Sequence, residues 1–139
     1  MKLLGIDFGT KRIGLAISDD EGSFAFPLKT IENRHTAIEE ITHIAKDREV
    51  DCLVLGDPGK DPGVLTTRTK VLEFKDMLER AGWRVELQTE MMTSLFIDQF
   101  FDRKPIANKR GGEKKTKQDE SAAAVILQRY LDTQQNKHD

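Results

Sequence analysis

The sequence contains one cysteine, one tryptophan and one tyrosine, and no apolar run approaches the roughly 20 residues needed to span a bilayer. A single thiol, Cys52, excludes an internal disulfide and fits a reducing compartment. Set inside the apolar run Cys52-Leu53-Val54-Leu55, it reads as core rather than nucleophile. The apolar stretch near the N-terminus, Leu3-Leu4-Gly5-Ile6, is too short for the hydrophobic region of a signal peptide, and no small-residue cleavage site follows it. A soluble cytoplasmic protein with no membrane partner is therefore expected. His35, His43 and His138 are scattered and lack metal-ligand spacing. A formal net charge of −2 gives no overall pull toward a polyanion. Trp83 beside Gly82, at a strand start, reads as packing rather than a stacking platform.

What is present is ordered along the chain. The 139 residues suffice for one ordinary domain, and 37% hydrophobic with 33% charged residues suits a globular fold with a charged surface. Lys2 to Phe8 alternates as a strand, Gly9-Thr10-Lys11 turns, and Arg12 to Ser18 returns as its antiparallel partner. A third strand follows around Phe24 to Ile31, where Pro27 points to a sheet edge. Ile38, Ile41, Ile44 and Ala45 set a helix over His35 to Arg48, with Asn33 or a neighbour as its cap. Asp51 to Gly56 reads as a parallel strand covered on both faces, Leu65 to Ala81 as a helix closed by Gly82, and Arg84 to Gln88 as a further strand. Helices are expected at Thr93 to Arg103 and at Asp119 to about Thr133. The result is one α/β domain over 1–139, a mixed five-stranded sheet of three antiparallel N-terminal strands plus two parallel ones, flanked by helices. A flexible basic loop is expected at about 104–118 and a frayed tail at about 133–139.

Charge is clustered despite its balanced sum. Arg103, Lys104, Lys109, Arg110, Lys114, Lys115 and Lys117 stand against Glu113 alone within fifteen residues. Three acids sit at the ends of elements. Asp7 lies on a strand expected to be central, where an ionised carboxylate needs a hydrogen bond, a partner or a metal; bonding to the next turn would satisfy it equally. Glu90 follows a parallel strand, at the end where open α/β sheets place ligands, although a first-turn glutamate is common. Asp119 shares a helix face with Ala122, Ala123, Ile126, Leu127, Tyr130 and Leu131, although an N-terminal aspartate is also an ordinary cap. Its neighbour Glu120 points about a hundred degrees away, toward solvent. Together these carboxylates would repel unless hard divalent cations joined them. A pair of Mg2+ or Mn2+ ions about 4 Å apart can drive phosphodiester hydrolysis, and the basic stretch would meet phosphates at the same mouth.

The opening GIDFGTKRIGLAISD resembles the YqgF (RuvX) family, RNase H-like relatives of Holliday-junction resolvases. LVLGDPG at Leu53 to Gly59, TEMMTS at Thr89 to Ser94 and DESAAAVILQRYLD at Asp119 to Asp132 follow in the family's order, so the likeness spans nearly the whole chain. It implies an RNase H-like fold, with Asp7, Glu90 and Asp119 as catalytic, metal-holding carboxylates. Lys11 and Arg12 of the opening motif join the basic stretch as candidate nucleic-acid contacts. The activity it implies is a metal-dependent nuclease acting on structured nucleic acid, foremost at the 5′ end of the 16S ribosomal RNA precursor. Alternatives are resolution of branched DNA, which needs a homodimer where RNA trimming needs only a monomer, and a catalytically weak RNA- or protein-binding module. The chain departs from the family pattern at Met91, where an arginine is usual, at Asp57, where an apolar residue is usual, and in the hydroxyl pair Thr93 and Ser94. Actin-like kinases and ATPases share the Asp-x-Gly-Thr opening but enclose a nucleotide between two such domains.

Overall fold

A computed structural model of the chain describes residues 1–89 and 111–138. Five strands form one sheet: β1 (Leu3–Phe8), β2 (Arg12–Ser18), β3 (Ala25–Glu32), β4 (Cys52–Asp57) and β5 (Val85–Thr89). Their spatial order is β3-β2-β1-β4-β5, so β1 is central, as its uninterrupted apolar run Leu3 to Ile6 requires. β2 pairs antiparallel with β1 and β3, while β4 runs parallel to β1 and β5 parallel to β4. This is the expected RNase H-like arrangement. Pro27 does lie on an edge strand, β3, beside a bulge between Leu15 and Ala16. An edge tolerates both the missing donor and the extra residue.

Strand alternation divides the core in two. Leu4, Ile6, Ile13, Leu15, Leu53 and Leu55 face α1 (Ala37–Asp47) and α2 (Leu65–Arg80), packing on Ala37, Ile41, Ala45, Val71, Phe74 and Leu78. Leu3, Ala16, Cys52 and Val54 face the opposite way, under Ala123, Ala124, Ile126, Leu127 and Leu131 of α3 (Gly111–His138). Here the strands carry little bulk. A Cβ on Gly5 would lie 2.8 Å from the Leu127 Cβ and 3.0 Å from the Ala123 carbonyl oxygen. The missing side chain is what lets the helix seat directly on β1. Cys52 is buried, and that burial pushes its thiol up from the ordinary range. A group held as the neutral thiol is core, as its apolar neighbours implied.

Several boundaries differ from expectation. The final helix begins at Gly111 rather than Asp119 and ends at His138 rather than near Thr133. Residues 111–118 are therefore helical rather than loop, and the tail past Thr133 is helical rather than frayed. Both flanks are polar and carry no apolar periodicity to read, yet lysine, glutamate and glutamine are good helix formers that extend a helix already seated by its apolar middle. The helix expected at Thr93 to Arg103, and residues 104–110 of the expected loop, lie outside the described residues. α1 starts after Thr36, which makes no side-chain cap bond, and Asn33 is not its cap. Among the described residues no helix is long and apolar enough to cross a membrane.

Candidate active site

Asp7 is the next-to-last residue of the central strand, half-buried, and its alternation with Leu3 and Gly5 places it on the α3 face. Directly across from it on β2 is Gly14. A Cβ on Gly14 would stand 2.0 Å from the Asp119 carbonyl oxygen and 2.9 Å from the Glu120 backbone nitrogen. No side chain fits there, so α3 brings its main chain at Asp119 onto the strand position facing Asp7. Two acids separated by more than a hundred residues thereby reach the same end of the same sheet face. Glycine is needed at position 14 for close approach rather than for an unusual backbone angle.

Asp119 does not sit there alone. Arg12, two residues before Gly14 on the same side of β2, donates from Nε to Asp119 Oδ2 at 2.9 Å. Both side chains are half-buried. Arg12 was expected to contact nucleic acid; in the structure one of its donors is committed to a carboxylate. The pairing was readable in principle, because Arg12, Gly14 and Ala16 alternate onto one face, but the meeting with Asp119 depends on where α3 crosses. Lys11 is exposed beside it.

The turn that follows Asp7 is clamped by the residue just past the end of β3. Asn33 donates from Nδ2 to the Gly9 carbonyl at 2.8 Å, and its backbone N–H reaches the Lys11 carbonyl at 2.9 Å. Gly9 has no room for a side chain, since a Cβ would come within 2.4 Å of the Arg12 carbonyl oxygen. An amide side chain expected to cap α1 thus fixes the hairpin that aims Asp7 and Arg12. Glu120, expected to face solvent, is half-buried because its backbone abuts Gly14.

Asp57 has a separate role. It ends β4 on the α2 side, accepts the Gly59 N–H at 2.9 Å and pairs with Arg68 Nε of α2 at 3.1 Å. The departure from an apolar residue at this position is therefore a tether between the loop and α2. It adds no charge to the face carrying Asp7. Trp83 donates from Nε1 to Thr42 Oγ1 at 3.1 Å, which makes it a packing residue as read.

Other expected site residues are less fully placed. Glu90 lies outside the described residues, immediately beyond Thr89 at the end of β5. Arg103, Lys104, Lys109 and Arg110 lie outside them too, as do Met91, Thr93 and Ser94. Lys114, Lys115 and Lys117 occupy the turns of α3 that precede Asp119, so the basic segment runs by helix into the acidic one. Among the described residues no group of three histidine, cysteine, aspartate or glutamate side chains could hold a metal ion. Asp7 and Asp119 are the members of the expected set that the described residues contain, and both are hard oxygen donors of the kind magnesium and manganese take.

Comparison with known proteins gives this arrangement its context. A family model described as RuvX, Holliday junction resolvase, matches residues 1–133. A protein of Maridesulfovibrio salexigens named "Putative pre-16S rRNA nuclease" is 38% identical over 138 residues, covering 94% of this chain and 98% of that one. A Clostridium botulinum protein of the same name is 34% identical over 137 residues, covering 96% and 98%. Among solved structures, Thermus thermophilus RuvC in complex with Holliday junction substrate superposes with a TM-score of 0.57 at 12% identity, covering 97% of this chain and 96% of that one. The Fowlpox virus resolvase bound to Holliday junction DNA does so with a TM-score of 0.54 at 14% identity, covering 96% and 98%. At such identities the solved structures attest the shared RNase H-like fold, while the full-length sequence matches attest kinship. The chain belongs to the RuvX family, and by that kinship is a nuclease that hydrolyses phosphodiesters.

Proposed function

We propose that Asp7, Glu90 and Asp119 form the catalytic carboxylate set of this nuclease and hold divalent cations, Mg2+ or Mn2+, most naturally as a pair. The observation that carries this reading is the seating of Asp119 on Gly14, opposite Asp7, which brings two hard oxygen donors to one end of one sheet face. When bound, such ions supply the positive charge that activates a water and stabilises the leaving oxygen. The chain's own groups do the positioning. Asp7 is held by the central strand and the Asn33-clamped turn, and Asp119 by the close contact of α3 and by Arg12. Lys11, Arg12 and the basic residues from Arg103 to Lys117 would bind backbone phosphates, which fixes a strand in register without reading its sequence.

The substrate we favour is the 5′ end of the 16S ribosomal RNA precursor in the cytoplasm, which the names of two relatives at 34% and 38% identity support. Branched DNA is the second reading, supported by the family's description. The two separate cleanly. Purified protein with Mg2+ is offered precursor RNA and a four-way junction side by side while its solution mass is measured. RNA trimming by a monomer is the expected result, and symmetric junction cutting by a dimer would favour the alternative. Asp7→Asn and Asp119→Asn should each lower cleavage by about a hundredfold or more while leaving the circular dichroism spectrum unchanged. Variants as active as the parent would overturn the site, and a parent that binds RNA without cutting it would indicate a binding module.

A further inference from the structure

Asp119 is paired with Arg12, and the form of that pair suggests a function beyond stability. The guanidinium reaches Asp119 Oδ2 through Nε at 2.9 Å across 107 residues of sequence. The two side chains remain 34% and 27% exposed, so water and ions reach the pair and can open it. Arg12 also stands at the first position of β2, right after the turn that follows Asp7, and its side of the strand leads through Gly14 to the Asp119 main chain. A cation binding at Asp119 and the Arg12 guanidinium seek the same carboxylate, and like charges a few ångströms apart oppose one another.

We infer that Arg12 is a placeholder cation. It holds Asp119 in the site while the metal is absent, is displaced when a divalent ion binds, and is then available to a phosphate of the bound strand. This inference rests on the reading of Asp119 as a metal-holding residue. It makes Arg12 a positioning residue whose partner changes with the state of the site, and it reconciles the nucleic-acid role implied by sequence with the ion pair seen here. It also makes the protein's affinity for Mg2+ weaker than its carboxylates alone would give, because uptake must break an existing pair.

The test uses full-length protein and MgCl2 alone, with no nucleic acid. In wild-type protein the Arg12 Nε–H resonance, identified by its loss in Arg12→Lys, should move saturably with the same midpoint as calorimetric Mg2+ uptake. Arg12→Gln should bind Mg2+ on the order of tenfold more tightly than wild type, and Arg12→Lys, which keeps the charge, should stay near it. An Arg12 signal indifferent to saturating Mg2+, or an Arg12→Gln affinity equal to or weaker than wild type, would overturn the inference. Asp119→Asn separates the two layers: if it binds Mg2+ as wild type does, the carboxylate reading itself fails, whereas lost binding there together with a wild-type Arg12 signal that saturating Mg2+ leaves unmoved rejects the placeholder alone. The resonance measurement needs no destabilising variant.

Discussion

The two faces of the sheet are built from the same alternating strands, yet they are filled in opposite ways. Toward α1 and α2 the strands present Leu4, Ile6, Ile13, Leu15, Leu53 and Leu55, large side chains that hold the helices off at a full layer's depth. Toward α3 the central pair of strands presents Gly5, Gly14 and Ala16, and the helix backbone comes almost into contact with them. Bulk makes one face a store of hydrophobic stabilisation; its absence makes the other a place where helix main chain packs directly on strand main chain. Asp7 and Asp119, two of the carboxylates proposed to be catalytic, are on the second face. A nuclease site depends on the relative placement of its acids, and close backbone packing sets that placement more firmly than interdigitated side chains would.

The sharpest way to break the contrast is to add one carbon to each side. Gly14→Ala puts a methyl 2.0 Å from a backbone oxygen that cannot rotate away. It should cost about 1–3 kcal/mol in urea unfolding and, in the fraction still folded, about a hundredfold in cleavage, because α3 must move and Asp119 moves with it. Its neighbour Leu15, fully buried on the other face, offers the control. Leu15→Ala should cost about 2–5 kcal/mol of stability with cleavage per folded molecule nearly unchanged. Equal loss of activity in both variants would erase the distinction between the faces.

Smaller effects sharpen it. Asp57→Asn removes the charge that tethers Arg68, whose side chain and partner are 22% and 17% exposed. A penalty of about 1–2 kcal/mol is expected by thermal melting, again without loss of activity, since the pair leaves β4 on the face opposite Asp7. Asn33→Ala unties the Gly9 carbonyl and should cost about 1 kcal/mol, but here cleavage should fall as well, because the turn orients Asp7. The smallest effect concerns acid stability. Backbone N–H groups of Phe24 and Ser23 hold the half-buried Asp19 carboxyl below its ordinary value of 3.8. A carboxylate depressed in the folded state stabilises above the unfolded value, and that contribution is lost as pH falls through the folded one. Asp19→Asn should therefore lower the melting temperature slightly at neutral pH and flatten its decline below about pH 4, the two proteins converging in acid.

Much of this contrast was legible in the residue pattern. Period-two alternation separates Leu4 and Ile6 from Gly5 and Asp7, and the continuous apolar run of β4 announces a strand covered twice. Pro27 marked the edge, and the spacing from Asp119 to Leu131 marked the inward face of the last helix. What could not be read were contacts that depend on where one element crosses another. Arg12 and Asn33 carry side chains with many suitable partners nearby in sequence, and nothing local prefers Asp119 or the Gly9 carbonyl over them. The ends of α3 are hard to read for a related reason, because polar helix flanks have propensity but no periodicity. Asp57 looked like a change in the site and is instead a loop anchor, a distinction made only by which side of β4 it leaves from.

The distance of 107 residues between Arg12 and Asp119 also bears on when the protein becomes active. The β1–β2 hairpin closes over a few residues and can form early, whereas α3 must return from far along the chain to cover the same strands, an ordering that loop closure makes slow. A nascent or truncated chain that stops before Asp119 would carry Asp7 and its clamped turn but lack the second acid, and would leave Gly5, Gly14 and Ala16 bare. On the proposed role of Asp119, cutting ability would arrive only after the last helix has docked.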